Sequence, residues 1–140
     1  MDDRIFYHLS RTENRMKAYM KKAFRENGIT ISPAQIGILF LLLKNNSQSM
    51  SDLSNALEID NSSTTRLVDN LEKMNFVQRD LNPGDRRQYF IFLTTQGKKE
   101  INRAKKVVRG INEKMKEDIP EHELAVFFKV IDHLCTKLSE

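Results

Sequence analysis

Apolar residues recur along this chain with a helical period near both ends, and with a strand-like period only in one stretch between them. Ile5, Phe6, Leu9, Met16, Tyr19, Met20, Ala23 and Phe24 follow one another at helical spacings, and the pattern stops at Asn27-Gly28. Ser32-Pro33-Ala34-Gln35 has the form of a capping box with proline at the first helical position. The nearly unbroken apolar run that follows to Leu43 predicts a helix buried on most sides, at the centre of the fold. Ser49 and Asp52 can cap a short helix that buries Leu53, Ala56 and Leu57. Asp60 can cap the next, NSSTTRLVDNLEKM, which runs to about Asn75. The few residues between these two helices are the spacing of a helix-turn-helix.

The period then changes. Residues 76–81 and 88–93 are rich in β-formers and flank Asn82-Pro83-Gly84-Asp85, where proline second and glycine third predict a type II turn. Helical spacing returns after Thr94 with Ile101, Ala104, Val108, Ile111 and Met115. A last helix after Pro120 carries Leu124, Phe127, Phe128, Ile131, Leu134, Cys135 and Leu138 on one stripe. The pattern predicts a mainly α fold with a small antiparallel β-hairpin: a winged helix-turn-helix flanked by N- and C-terminal dimerisation helices, one domain over 1–140. Residues 31–97 make the winged lobe, and 1–30 with 98–140 a helical region. The apolar stripes of that region are wider than a small winged helix can cover, so a second copy of the chain is the expected cover, as a homodimer.

Composition narrows the classes. The 140 residues are 39% hydrophobic and 30% charged, enough to fill a core. No apolar run approaches the roughly 20 residues of a membrane span, and MDDRIFYHLS does not read as a secretory signal, so no membrane partner is expected. A single cysteine excludes an internal disulfide framework and points to a reducing cytoplasm. Net charge is only +4, but it is unevenly spread. Between Asn61 and Lys106 ten basic residues face five acidic ones, whereas the other 94 residues carry 13 basic and 14 acidic. A basic surplus confined to the helix-turn-helix and hairpin suits a polyanionic partner, double-stranded DNA above all.

Two stretches could carry recognition. The helix at 61–75 opens on Asn61, Ser62, Ser63, Thr64, Thr65 and Arg66, and its apolar anchors Leu67, Val68, Leu71 and Met74 come later. Such a helix is held by its far end and offers a small, polar first turn with free N–H groups to a DNA groove. The same residues also suit plain capping of a helix start. At the hairpin tip, Arg86 and Arg87 follow Asp85. An arginine on a wing can enter a narrow minor groove, with Asp85 holding a guanidinium in one orientation. A winged helix used only for protein–protein contact is the competing class, although it needs neither feature.

The segment SMSDLSNALEIDNSSTTRLVDNLEKMNFVQRDLNPGDRRQYFIFLTTQG, residues 49–97, resembles the core of the MarR (multiple antibiotic resistance regulator) family. DLSNAL, SSTTRLVDNLE and DRRQYFIFLTTQG carry the resemblance, and the flanks match in architecture. It implies a dimeric winged-helix regulator, most often a repressor, on palindromic DNA. Release by a small lipophilic or phenolic effector, or by cysteine oxidation, is the family habit. By the same resemblance Ser62, Ser63, Thr64 and Arg66 would face the major groove, Arg87 would enter the minor groove, Asp85 would orient it and Arg86 would contact the backbone. The family usually has glycine where Asn75 stands, and often where Glu58 stands; asparagine is the next best left-handed cap.

No other chemistry emerges. Cys135 falls on the apolar stripe of the last helix and reads as a small buried hydrophobe. His8, His122 and His133 are scattered without metal-ligand spacing, and no triad, phosphate loop or carboxylate pair suggests catalysis. No cofactor, metal or enzymatic activity is expected.

Overall fold

A computed structural model describes residues 4–139, and for Arg86 the backbone only. The elements, in order, are α1 (Ile5–Glu26), α2 (Pro33–Lys44), β1 (Gln48–Ser49), α3 (Met50–Leu57), α4 (Asn61–Lys73), β2 (Val77–Asn82), β3 (Asp85–Leu93), α5 (Thr95–Lys116) and α6 (Glu121–Leu138). They form two compact units, Met1–Val108 and Arg109–Glu140, with α5 running from the first into the second.

The first unit is organised around α2. Ser32 Oγ accepts the Gln35 N–H at 3.2 Å while Gln35 Oε1 accepts the Ser32 N–H at 2.9 Å, so two backbone donors are satisfied before the apolar run begins. Ile38, Leu39 and Leu42 are fully buried among Phe24, Leu53, Val68, Leu71, Ile91, Ile101 and Ala104. Each such side chain contributes about 1.5–3 kcal/mol relative to exposure. The loop between α1 and α2 is pinned from α5. Buried Glu100 accepts the Thr30 N–H at 2.9 Å, and Arg103 donates to the Asn27 carbonyl at 2.8 Å.

The sheet is antiparallel with strand order β1-β3-β2. β1 was not expected: it pairs only Gln48 with Ile91 and Ser49 with Phe90, and two residues are too few to show an alternating pattern. In β2 and β3, Val77 pairs with Leu93 and Arg79 with Ile91. Val77, Ile91 and Leu93 are buried, which fixes the register because a one-residue slip would turn them to water.

The hairpin tip departs from the expected type II turn. Asn82 pairs with Asp85, leaving Pro83-Gly84 as the loop, but Gly84 does not have the left-handed φ such a turn requires. Asn82 Oδ1 instead accepts the Gly84 N–H at 2.9 Å, a side-chain closure of the turn that needs no left-handed residue. The left-handed positions are elsewhere. Glu58 ends α3 with φ 53° and Asn75 follows α4 with φ 61°, as an asparagine cap predicts.

In the second unit, the end of α5 leads through Asp118, at φ 61°, into α6. α6 buries none of its residues, and Val126, Phe127, Phe128 and Val130 are each more than half exposed. Cys135 is exposed as well, which corrects the expectation of a buried hydrophobe: a stripe on a helix is covered only where something packs on it. No described helix is long and apolar enough to cross a membrane.

Candidate nucleic-acid interface

The helix-turn-helix is assembled by its caps. Ser49 Oγ and the Asp52 carboxylate exchange backbone bonds of 3.0 Å each, starting α3. The left-handed Glu58 reverses the chain after α3, with the Ile59 N–H returning to the Ser54 carbonyl at 3.2 Å. Asp60 then caps α4. Its Oδ1 accepts the Ser63 N–H and its Oδ2 the Ser63 hydroxyl, both at 2.7 Å. The Ser63 N–H, then the Ser63 hydroxyl, hold the Asp60 carboxyl below its ordinary value, so it carries a full negative charge at neutral pH.

This geometry sorts the expected recognition residues. Ser62 and Arg66 lie one turn apart on the exposed face of α4, with Asn61 and Asn70 also exposed. Ser63 is half-buried, with its hydroxyl committed to Asp60. The expectation that Thr64 faces outward is corrected: its side chain is fully buried. Thr64 Oγ1 donates to the Asp60 carbonyl at 3.0 Å and receives the Ser54 hydroxyl at 2.8 Å. The physical reason is position. Thr64 shares the inner face with Val68 and Leu71, and Ser54 on α3 supplies the partner that lets a hydroxyl be buried there. Nor is the helix start a wholly open anion site, since the Asp60 carboxylate already takes the Ser63 N–H.

At the wing tip, Asp85 Oδ1 accepts the backbone N–H of Arg87 at 3.0 Å. Among the described residues Asp85 makes no ion pair with the Arg87 guanidinium, so it shapes the backbone that carries Arg87 rather than gripping the charge. Arg87 is exposed. The side chain of Arg86 lies outside the described residues.

The wing is anchored to α5 through Thr94 and Gly97. Thr94 Oγ1 donates to the Asn75 carbonyl at 2.6 Å and accepts the Gly97 N–H at 2.9 Å, capping α5. A Cβ on Gly97 would stand 2.1 Å from the Phe76 carbonyl oxygen, so only glycine fits where α5 crosses the start of β2.

Sequence reasoning missed one contact between wing and helix: Arg79 of β2 pairs with Asp69 and Glu72 of α4. Strand alternation carried the signal, because Arg79 shares a face with buried Val77 and so points inward. Beside this surface an apolar hollow of about 490 Å³ is lined by Ile36, Leu57, Ile59, Leu67, Ser63 and Arg66.

The family model that matches this chain is that of the MarR family, over residues 31–89. The uncharacterized HTH-type transcriptional regulator YsmB of Bacillus subtilis is 30% identical over 114 residues, 80% of this chain and 78% of YsmB. The HTH-type transcriptional regulator BilQ of Clostridioides difficile is 23% identical over 142 aligned positions, 97% of this chain and 93% of BilQ. Among solved structures, the transcriptional repressor CouR bound to a 23-mer DNA duplex is similar in fold. Its TM-score is 0.86 at 23% identity, covering 94% of this chain and 92% of that one.

Proposed function

This chain belongs to the MarR family of transcriptional regulators, DNA-binding proteins that are not enzymes, and from that premise we propose that it works as a homodimeric repressor on a pseudo-palindromic operator. In this reading α4 lies in the major groove with Ser62 and Arg66 towards base edges and phosphates. Arg87 enters the adjacent minor groove from the wing, Asp85 sets the backbone at its base, and Arg86 meets the phosphate backbone. Thr64 and Ser63 serve the same surface from within, by fixing the first turn of α4.

The observation that carries the proposal is the division of α4 into two faces. Thr64, Val68 and Leu71 are locked inside, while Ser62 and Arg66 stand outside on a helix whose start is already capped. A polar stripe on so firmly held a helix suits recognition better than mere solvation.

Dimerisation is supported by apolar residues that stand exposed on both α1 and α6 among the described residues. Ile5, Phe6 and Leu9 of α1 are exposed, Phe6 at 85%, and so are Val126, Phe127, Phe128, Val130 and Leu138 of α6. A second copy is the cover consistent with the family. Two recognition helices would then stand about one helical turn of DNA apart, roughly 34–36 Å. A small lipophilic or phenolic effector is expected to release the DNA, and the apolar hollow beside Arg66 has room for such a molecule.

The test is selection of bound fragments from random DNA, followed by anisotropy titration across salt concentrations and sedimentation of the free protein. The proposal expects an inverted-repeat site, a dimer, and affinity that falls steeply with salt through counterion release. A monomer, or affinity nearly independent of salt, would sink it.

A further inference from the structure

Arg79 reaches from the wing to the helix proposed to read DNA. Its side chain is only 22% exposed, and Nη2 pairs with Asp69 while Nε lies 3.5 Å from Glu72 Oε2. Nε is buried and makes no hydrogen bond, so its nearness to the carboxylates is what compensates it. Asp69 and Glu72 themselves are 45% and 44% exposed.

The placement of Asp69 is what makes this contact informative. Ser62, Arg66, Asp69 and Lys73 follow at four, three and four residues and therefore share one face of α4. Asp69 thus stands on the stripe that carries Ser62 and Arg66. A bare carboxylate there would confront the phosphates bordering a groove, and Glu72 adds a second less than a turn away. Arg79 meets both from behind. A guanidinium presents several N–H donors in one rigid plane and can serve two carboxylates at once, which a lysine ammonium on a flexible stem does less well.

We propose that Arg79 is a built-in counter-ion of the recognition helix: a positioning residue that acts through Asp69 and Glu72, offsetting one of their two negative charges so that an acid-bearing helix can approach DNA. The inference rests on the reading of α4 as the DNA-facing helix. It adds that the wing contributes to binding at its root as well as at its tip. The arrangement also predicts which substitutions compensate one another, since the acids are a greater liability when Arg79 is gone.

Four proteins decide the matter: wild type, Arg79→Met, Asp69→Asn with Glu72→Gln, and the combination of all three. Each is titrated by anisotropy against DNA selected by the wild type, at about 0.05 M and about 0.2 M salt, with thermal melts recorded alongside. Arg79→Met is expected to bind about tenfold more weakly at the lower salt, with the deficit shrinking at the higher, because repulsion between exposed charges is screened. The Asn/Gln double variant breaks the same ion pairs yet should bind at least as tightly as wild type. The triple variant should recover most of what Arg79→Met lost. The proposal is overturned if Arg79→Met binds like wild type, if its deficit is independent of salt, or if the double variant is as weak as Arg79→Met. That last result would make the ion pairs a structural clamp only. Should Arg79→Met fail to fold, the double variant against wild type still decides, equal or tighter binding supporting the proposal and weaker binding overturning it. Wild type that selects no DNA would instead remove the reading of α4 itself, and the counter-ion role with it.

Discussion

The two ends of one hairpin are built on opposite principles. At its base, Thr94 bonds to both Asn75 and Gly97, Leu93 and Val77 are buried, and Gly97 lies against the Phe76 backbone with no room for a methyl group. At its tip, the turn holds itself with two side-chain bonds, Asn82 and Asp85 each accepting the backbone N–H two residues on, and Asp85 and Arg87 are exposed. The base is bonded to other parts of the fold, whereas among the described residues the tip is bonded only within the hairpin. Stability should therefore be concentrated at the base and recognition at the tip. Among the described residues the Arg87 guanidinium has no ion pair to give up when it meets another group.

Four substitutions test that separation, from the largest expected effect to the smallest. Gly97→Ala forces a methyl group into the Phe76 carbonyl, and with backbone on both sides the cost should reach about 3 kcal/mol. A chemical-denaturation midpoint unchanged from wild type would show that the base yields. Thr94→Ala removes the α5 cap and the bond to Asn75, an expected loss of about 1–2 kcal/mol in the same measurement. Arg87→Ala should leave stability within about 0.5 kcal/mol while weakening operator binding about tenfold. Equal losses of stability and affinity at Arg87 would erase the distinction between base and tip. Asp85→Ala should be mildest, about two- to threefold in affinity, since it removes one exposed hydrogen bond to the Arg87 amide. An effect as large as that of Arg87→Ala would mean Asp85 grips the guanidinium in the DNA complex.

Most of the architecture is legible in the chain itself, and the reason is local. Ser32, Ser49 and Asp60 start helices through bonds to residues three positions on, and Asn75 ends one by taking a left-handed conformation its side chain tolerates. Neither device depends on anything distant. The same holds for the apolar run of α2, whose continuity already implies burial on several sides.

The candidate site was legible only in part. The exposed positions of Ser62, Arg66 and Arg87 follow from periodicity, but the burial of Thr64 depends on Ser54, ten residues away on another helix. The turn at 82–85 has the composition of type II, yet the Asn82 side chain closes it by another route. Cys135 lies on a stripe that looks like core, yet it is exposed on a helix that buries none of its residues. Arg79 is a charged residue in a strand until β2 sets it against the acids of α4.

The sequence by itself determined where the helices begin, the order of helices and hairpin that makes a winged helix, and the segment where basic charge collects. These are matters of hydrogen bonds and periodicity within a few residues. Only the tertiary structure decided which hydroxyl of the first turn of α4 is buried, which backbone Gly97 must clear, and which acids Arg79 pairs with. Those depend on pairings between elements far apart in the chain, where the identity of a residue says what it can bond and packing alone says what it does bond.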